Sequence, residues 1–253
     1  MAKSNRWTRE ETIIAFNVYC KIPFKDSNKN HPVIIKYAKL INRSPSALNM
    51  KIGNLGRLDP ELKKRSIVGL KNGSKLEEVI WKEFHGNWNA LALESERLIE
   101  EFEFNSKNNL HEKETFPLGK ERERTVMARL NQSFFRTTVL AAYNAQCAIT
   151  GSSIVELLEA SHIKAWKDDP ANRLNPRNGI CMNVLHHRAF DRGLFTITPN
   201  FKIKVSSILD KKDKKDDINH FIKKYDNSNL LLPDRFLPSE SFLNYHQKFV
   251  FKK

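Results

Sequence analysis

Apolar residues keep a helical period through the first hundred or so positions of this chain. Beyond a polar stretch with no period, Phe104–Lys120, they fall mostly into short strand-like runs. That stretch ends in a Pro and a Gly and reads as a linker or exposed crossing, so the chain divides into a helical domain over residues 1–105, a linker over 106–120 and a mixed domain over 121–253. The expected class is α+β. With 253 residues, 40% of them hydrophobic, the chain is long enough for two modest cores, and no repeat of fixed period runs through it.

The start signals in the first part are specific. Thr8 followed by Glu11 and the apolar Ile13, Ile14 and Phe16 is a capping box opening a helix that ends near Cys20 or Lys21, with Pro23 closing it. From Pro32, the spacing of Ile34, Ile35, Ala38, Leu40 and Ile41 predicts a second amphipathic helix, stopped at Asn42-Arg43-Ser44. Ser44 then caps a third helix with Pro45 in its first turn and Leu48, Ile52 and Leu55 on its core face. Two short helices joined by a polar turn suit a helix-turn-helix-like DNA reader as well as a plain structural bundle. In the first case Ser46, Asn49 and Arg57 on the free face would meet phosphates or base edges. Trp81, Phe84, Trp88 and Leu91 recur at helical spacing and are expected in the core.

After the linker, residues 121–145 are expected to be helical, with Val126, Leu130, Phe134, Val139, Leu140 and Ala142 on one rough apolar face. Strand-like pieces follow: CAIT before Gly151, LLEASHI at 157–163, NGICMNV at 178–184, and the pair LFTIT and FKIKV around a Pro199-Asn200 turn. Between them LHHRAFDRG reads as a short helix closed by Gly193. The formal charge is +14 with pI near 9.7, which points to a polyanionic partner. No apolar run is long enough for a membrane span and the N-terminus is polar, so the cytoplasm is the expected compartment. Cys20, Cys147 and Cys181 are far apart and form no CxxC pair, which excludes a disulfide framework or a four-cysteine zinc site.

Hydrolysing a phosphodiester needs a base for the attacking water, a cation for charge on the phosphate and leaving oxygen, and groups that hold both in line. His162, at a strand end, is a candidate base, because imidazole takes up a proton near neutral pH without large tuning. His187 and Asp191 stand four apart on the expected helix, share a face and could grip one divalent ion. His186 has Ala189 and Phe190 at the corresponding positions and gains no partner ligand. His31, His85, His111, His220 and His246 lie in no such pattern and are read as surface or core residues.

The blocks CAITG, LEASHIKAW, NPRNGICMN and LHHRAFDRGLFTI, in this order, resemble the HNH nucleases, and in particular their bacterial restriction-endonuclease branch, over roughly residues 125–205. The N-terminal third resembles, through weaker motifs, the domain that precedes HNH modules in some bacterial proteins. The resemblance implies a ββα-metal fold in which His162 is the general base, Asn178 braces the loop that holds it, and His187 and Asp191 bind the ion. Asp191 stands where colicin nucleases carry a second helical His, and a carboxylate there favours Mg²⁺ or Mn²⁺ over Zn²⁺. Arg188 or Arg192 would contact phosphate. Two features depart from the family. The residue before the base is Ser161 rather than a ligating Asp or His, so Glu159, on the same strand face, or water would replace it. Cys147 and Cys181 are each half of a knuckle whose second cysteine is missing, so the scaffold is expected to hold by apolar packing.

The leading expectation is a metal-dependent endonuclease acting on double-stranded DNA in restriction or phage defence, with double-strand cleavage needing a homodimer or sequential nicking. The alternative is a DNA-binding regulator with a degenerate HNH module, motivated by Ser161 and the helix pair at 33–57. RNA or modified phage DNA as substrate is a third reading that the residues do not separate from the first.

Overall fold

A computed structural model describes residues 6–67, 73–107, 133–211 and 217–253. Residues 108–120 of the expected linker, and Val126 and Leu130 of the expected helix, lie outside the described residues. The chain forms two compact units, Met1–Ala141 and Ala142–Lys253. The class is mixed: a helical N-terminal region followed by a region with small antiparallel sheets.

In the first unit, α1 (Arg9–Lys21), α2 (Pro32–Leu40), α3 (Pro45–Gly56), α4 (Pro60–Lys64), α5 (Lys75–Phe84) and α6 (Trp88–Lys107) follow one another. Thr8 and Glu11 cap α1 reciprocally: the Thr8 hydroxyl accepts from the Glu11 amide at 3.2 Å, and the Thr8 amide donates to the Glu11 carboxylate at 3.1 Å. Residues 11–20 of α1 are all buried, because α3, α5 and α6 pack around it. Its polar members are therefore paired, Glu11 with Arg43 at 2.8 Å and Asn17 with Ser95 at 2.6 Å. Phe16 stacks on Trp81 at 4.9 Å between ring centres, and the Trp81–Leu91 stripe is buried as expected. It does not lie on one helix, however. His85, Gly86 and Asn87 break the chain between α5 and α6, with Gly86 at φ +96°, the left-handed conformation glycine adopts without strain.

The free face expected for α3 needs correction. Leu48, Ile52 and Leu55 face the core and Ser46 is exposed. Asn49 accepts a hydrogen bond from the Ser27 hydroxyl at 2.8 Å, and Arg57 lies half-buried within 3.4 Å of Glu78 on α5. For Arg57 the cause is α5, which Lys51 and Asn54 also reach, both donating to the Glu77 carboxylate. A helix flanked on that side has a narrower open face than its isolated sequence implies.

A helix over residues 133–142 (α7) ends where the second unit begins. The expected strand CAIT is instead a turn. The Cys147 sulfur accepts from the amides of Thr150 at 3.5 Å and Asn183 at 3.3 Å, the Gly151 amide returns to the Cys147 carbonyl, and Gly151 takes φ +72°. The knuckle-shaped turn is thus held by amide–sulfur bonds around a buried thiol, and Cys20 and Cys181 are buried as well, none of the three in a disulfide. Then come β1 (Leu158–His162), β2 (Gly179–Asn183) and α8 (Val184–Asp191), consecutive and mutually packed. β1 and β2 pair antiparallel from Leu158 opposite Asn183 to His162 opposite Gly179. A second hairpin, β3 (Phe195–Ile197) and β4 (Ile203–Val205), turns at Pro199-Asn200; α9 (Asp217–Lys223) and α10 (Glu240–Phe249) complete the unit. Among the described residues no helix is long and apolar enough to cross a membrane.

Gly193, which ends α8, has φ +70°, and a Cβ there would stand 2.1 Å from the Val250 carbonyl oxygen, while Lys252 donates to the Gly193 carbonyl at 3.0 Å. Both the left-handed backbone and the contact exclude a side chain. Gly193→Ala is expected to lower the unfolding free energy by about 2–4 kcal/mol, measured by denaturant titration; a loss under about 0.5 kcal/mol would show that residues 250–252 do not hold this position in solution.

Candidate active site

The β1–β2–α8 unit sets the positions of the side chains singled out above. β1 delivers His162 to its open end, where the chain leaves for a loop that returns at Asn178. Asn178, 1% exposed, closes that loop: its carbonyl oxygen accepts from the Lys164 amide at 2.8 Å, and its amide donates to the carbonyls of Lys164 at 3.0 Å and Asn172 at 3.4 Å. Within the loop, Lys164 reaches Asp169 at 3.2 Å and Asn172 donates to both oxygens of the same carboxylate. The segment following His162 is therefore tied at both ends and across its middle.

His162 lies 2.9 Å from the Arg173 carbonyl through Nε2, and a carbonyl only accepts, so Nε2 carries the proton and Nδ1 the lone pair. Burial pushes the His162 pKa below its ordinary value, against a smaller upward pull from that hydrogen bond. The imidazole is thus neutral near pH 7 and holds a defined tautomer, the two conditions a proton acceptor needs.

α8 is capped by Asn183, whose side chain accepts from the His186 amide at 2.8 Å. The cap starts the helix directly off β2, which turns His187 and Asp191 toward β1. His187 Nε2 lies 3.3 Å from Asp191, and His187 Nδ1 meets the Glu159 carboxylate. Strand parity explains Glu159: it shares a face with Ser161, which is itself fully buried with no hydrogen-bond partner for its hydroxyl among the described residues. Partial burial raises the Asp191 carboxyl pKa, opposed by His187 and the neighbouring Arg188 and Arg192.

A cleft of about 460 Å³ collects His162, Trp166, Lys167, His187, Asp191 and His246 among its walls. Asn178 stands behind it in the loop. Glu159 does not line it and meets the site at His187. Arg188 on α8 and Arg192 at its C-terminal cap are exposed and also outside the lining. Ser46, Asn49 and Arg57 belong to the first unit and do not line this cleft. His246 is a wall and not a second base: it is stacked on Phe190, donates through Nε2 to the Phe190 carbonyl, accepts through Nδ1 from Thr196, and is pushed down to about 4 by burial. His186 points away into Phe195, Phe221 and Tyr225, also with a pKa near 4. Trp166, Lys167 and His246 were not readable as site residues. The string HIKAWK was the available signal for the first two, but nothing in it assigns them a role.

Among the described residues, no three His, Cys, Asp or Glu side chains are arranged to hold an ion as they stand. The donor set nevertheless suits a hard divalent cation: one imidazole nitrogen and one carboxylate face the cleft, with a second carboxylate on the far nitrogen of that imidazole. Filling the remaining positions would fall to water and substrate oxygens, as Mg²⁺ sites commonly require.

Two antiparallel strands followed at once by a helix, with a neutral histidine and a His–carboxylate pair in one cleft, define a nuclease-type module. Residues 147–198, from the Cys147 turn through β3, match the family model for an HNH endonuclease. No curated protein matches the chain.

Proposed function

We propose that this protein is a divalent-metal-dependent endonuclease that hydrolyses phosphodiester bonds of double-stranded DNA in the cytoplasm, in restriction or phage defence. The observation that carries the reading is the shared cleft: a neutral, single-tautomer His162 beside the His187–Asp191 pair. His162 takes the proton of the attacking water. Asn178 keeps the loop after the base in place by holding both backbone polar groups of Lys164. His187 Nε2 and Asp191 would hold Mg²⁺ or Mn²⁺, and the bound ion would supply positive charge against the phosphate and leaving oxygen. Glu159 is better placed as the acceptor of His187 Nδ1–H, leaving Nε2 as the ligand nitrogen, than as a ligand itself, since it lies outside the cleft lining. Arg188 and Arg192 supply phosphate contacts from the exposed side of α8. The first unit grips the duplex, with Ser46 on its open face; Asn49 and Arg57 contribute only if their bonds to Ser27 and Glu78 open. A single site of this kind cuts both strands as a homodimer or by sequential nicks.

The test is incubation of supercoiled plasmid and of hypermodified phage DNA with the full chain and Mg²⁺ or Mn²⁺. Nicked or linear products that disappear with chelator are expected, and the preferred DNA tells whether modification is read. A regulator with a degenerate HNH module is the second reading, favoured by the buried Ser161 hydroxyl, which has no hydrogen-bond partner among the described residues, at the place of a ligand. It would give salt-sensitive DNA shifts with no product under either ion.

A further inference from the structure

Two side chains in the loop after β1 have no part in the reading above, yet they enclose the base. Arg173 supplies the carbonyl that accepts from His162 Nε2 at 2.9 Å. Its own guanidinium is fixed twice: Nε donates to the Trp166 carbonyl at 3.0 Å, and the group lies over the Trp166 ring, 5.0 Å from its centre. The indole in turn stands edge-to-face with the His162 imidazole, ring centres 5.7 Å apart and planes at 85°. Residues 162, 166 and 173 therefore form a closed circuit in which each is held by the other two.

We propose that Trp166 and Arg173 are positioning residues that lock the orientation and tautomer of the His162 imidazole. The physical need is specific. Rotation about the last side-chain bond of histidine is soft, and a half-turn puts Cδ2–H where Nδ1 stands and Cε1–H where Nε2 stands, which would present a C–H where a lone pair is needed; loss of the bond to the Arg173 carbonyl would also free the proton to move to Nδ1. A hydrogen bond to one carbonyl fixes the ring only as well as that carbonyl is fixed. Arg173 holds its own backbone against residue 166 through its side chain, and the indole blocks the ring's sideways swing. Arginine suits this place, because a planar guanidinium stacks and donates along a set direction together, which an ammonium does not.

The inference rests on His162 being the base, but its central measurement does not. Ring nitrogen chemical shifts of His162 in the full chain, recorded at pH 7 without DNA, read the tautomer directly. Wild type is expected to show protonated Nε2 alone, and Arg173→Ala and Trp166→Ala a mixture of both tautomers. Trp166→Phe, which keeps an aromatic wall, should retain the wild-type pattern. If the plasmid assay gives cleavage, Arg173→Ala should slow it by about 10–100-fold at saturating DNA and ion, with Trp166→Phe within about threefold of wild type. A single Nε2–H tautomer in both alanine variants would overturn the lock. If an alanine variant does not fold, Arg173→Lys takes its place: it keeps a donor and loses the stack, so a wild-type tautomer there also overturns the proposal. Absence of cleavage by wild type would sink the nuclease reading and leave the tautomer comparison standing as the test of the lock.

Discussion

His162→Ala is expected to reduce metal-dependent cleavage by about 10²–10⁴-fold, the usual worth of a positioned general base, while DNA affinity stays within about threefold of wild type. The fold should survive, because the side chain is half-buried and its Nε2 bond to the Arg173 carbonyl is one weak contribution among many. The pH profile adds an independent check. Burial favours the neutral imidazole, so the folded pKa lies below the ordinary 6.5, and lowering the pH removes the base only beneath that value. The acid limb of the cleavage rate should therefore fall below pH 6.5 in wild type and vanish in His162→Ala. Wild-type rates in the alanine variant would reject His162 as the base whatever the state of the metal pair. A limb centred above 6.5 would mean that the imidazole is not desolvated in the working enzyme.

Much of this arrangement is legible in the sequence because it is local. Thr8 with Glu11, and Ser44 with Pro45, state helix starts in three or four residues, and both helices begin there. The spacing of His187 and Asp191 is one helical turn, and the parity of Glu159 with Ser161 follows from the strand period. What failed was set by distant partners. CAIT has strand composition, but its cysteine sulfur collects two amides, one from Asn183, and bends the segment into a turn. Arg57 belongs by helical phase to an open face, yet α5 arrives beside it. The Trp81–Leu91 stripe keeps its period across a break because His85-Gly86-Asn87 turns the chain without removing its aromatic residues from the core. Trp166 and Arg173 are seven apart in a loop with no period at all, so their meeting around His162 has no sequence signature that spacing could supply.

The second large effect concerns the ion and separates two roles for the carboxylates. Titration of the full chain with Mn²⁺, followed by calorimetry, should show binding that His187→Ala and Asp191→Ala each weaken by at least about 100-fold, since each removes a cleft-facing donor from a site that has few. Glu159→Gln should behave differently. Its amide oxygen can still accept from His187 Nδ1–H, so an orienting Glu159 loses only about tenfold, the low end of what an outer partner of a metal-bound histidine contributes. A ligating Glu159 would lose as much as Asp191→Ala does, because a neutral amide is a poor donor to a hard cation. Equal, large losses at 159 and 191 would thus place Glu159 in the ligand position that Ser161 leaves open. A small loss at 159 beside a large one at 191 would make the site a two-residue holder completed by water and phosphate oxygens. Ion affinity would then rise when DNA binds, and binding of Mn²⁺ in the presence of an uncleavable phosphorothioate duplex should be tighter than in its absence.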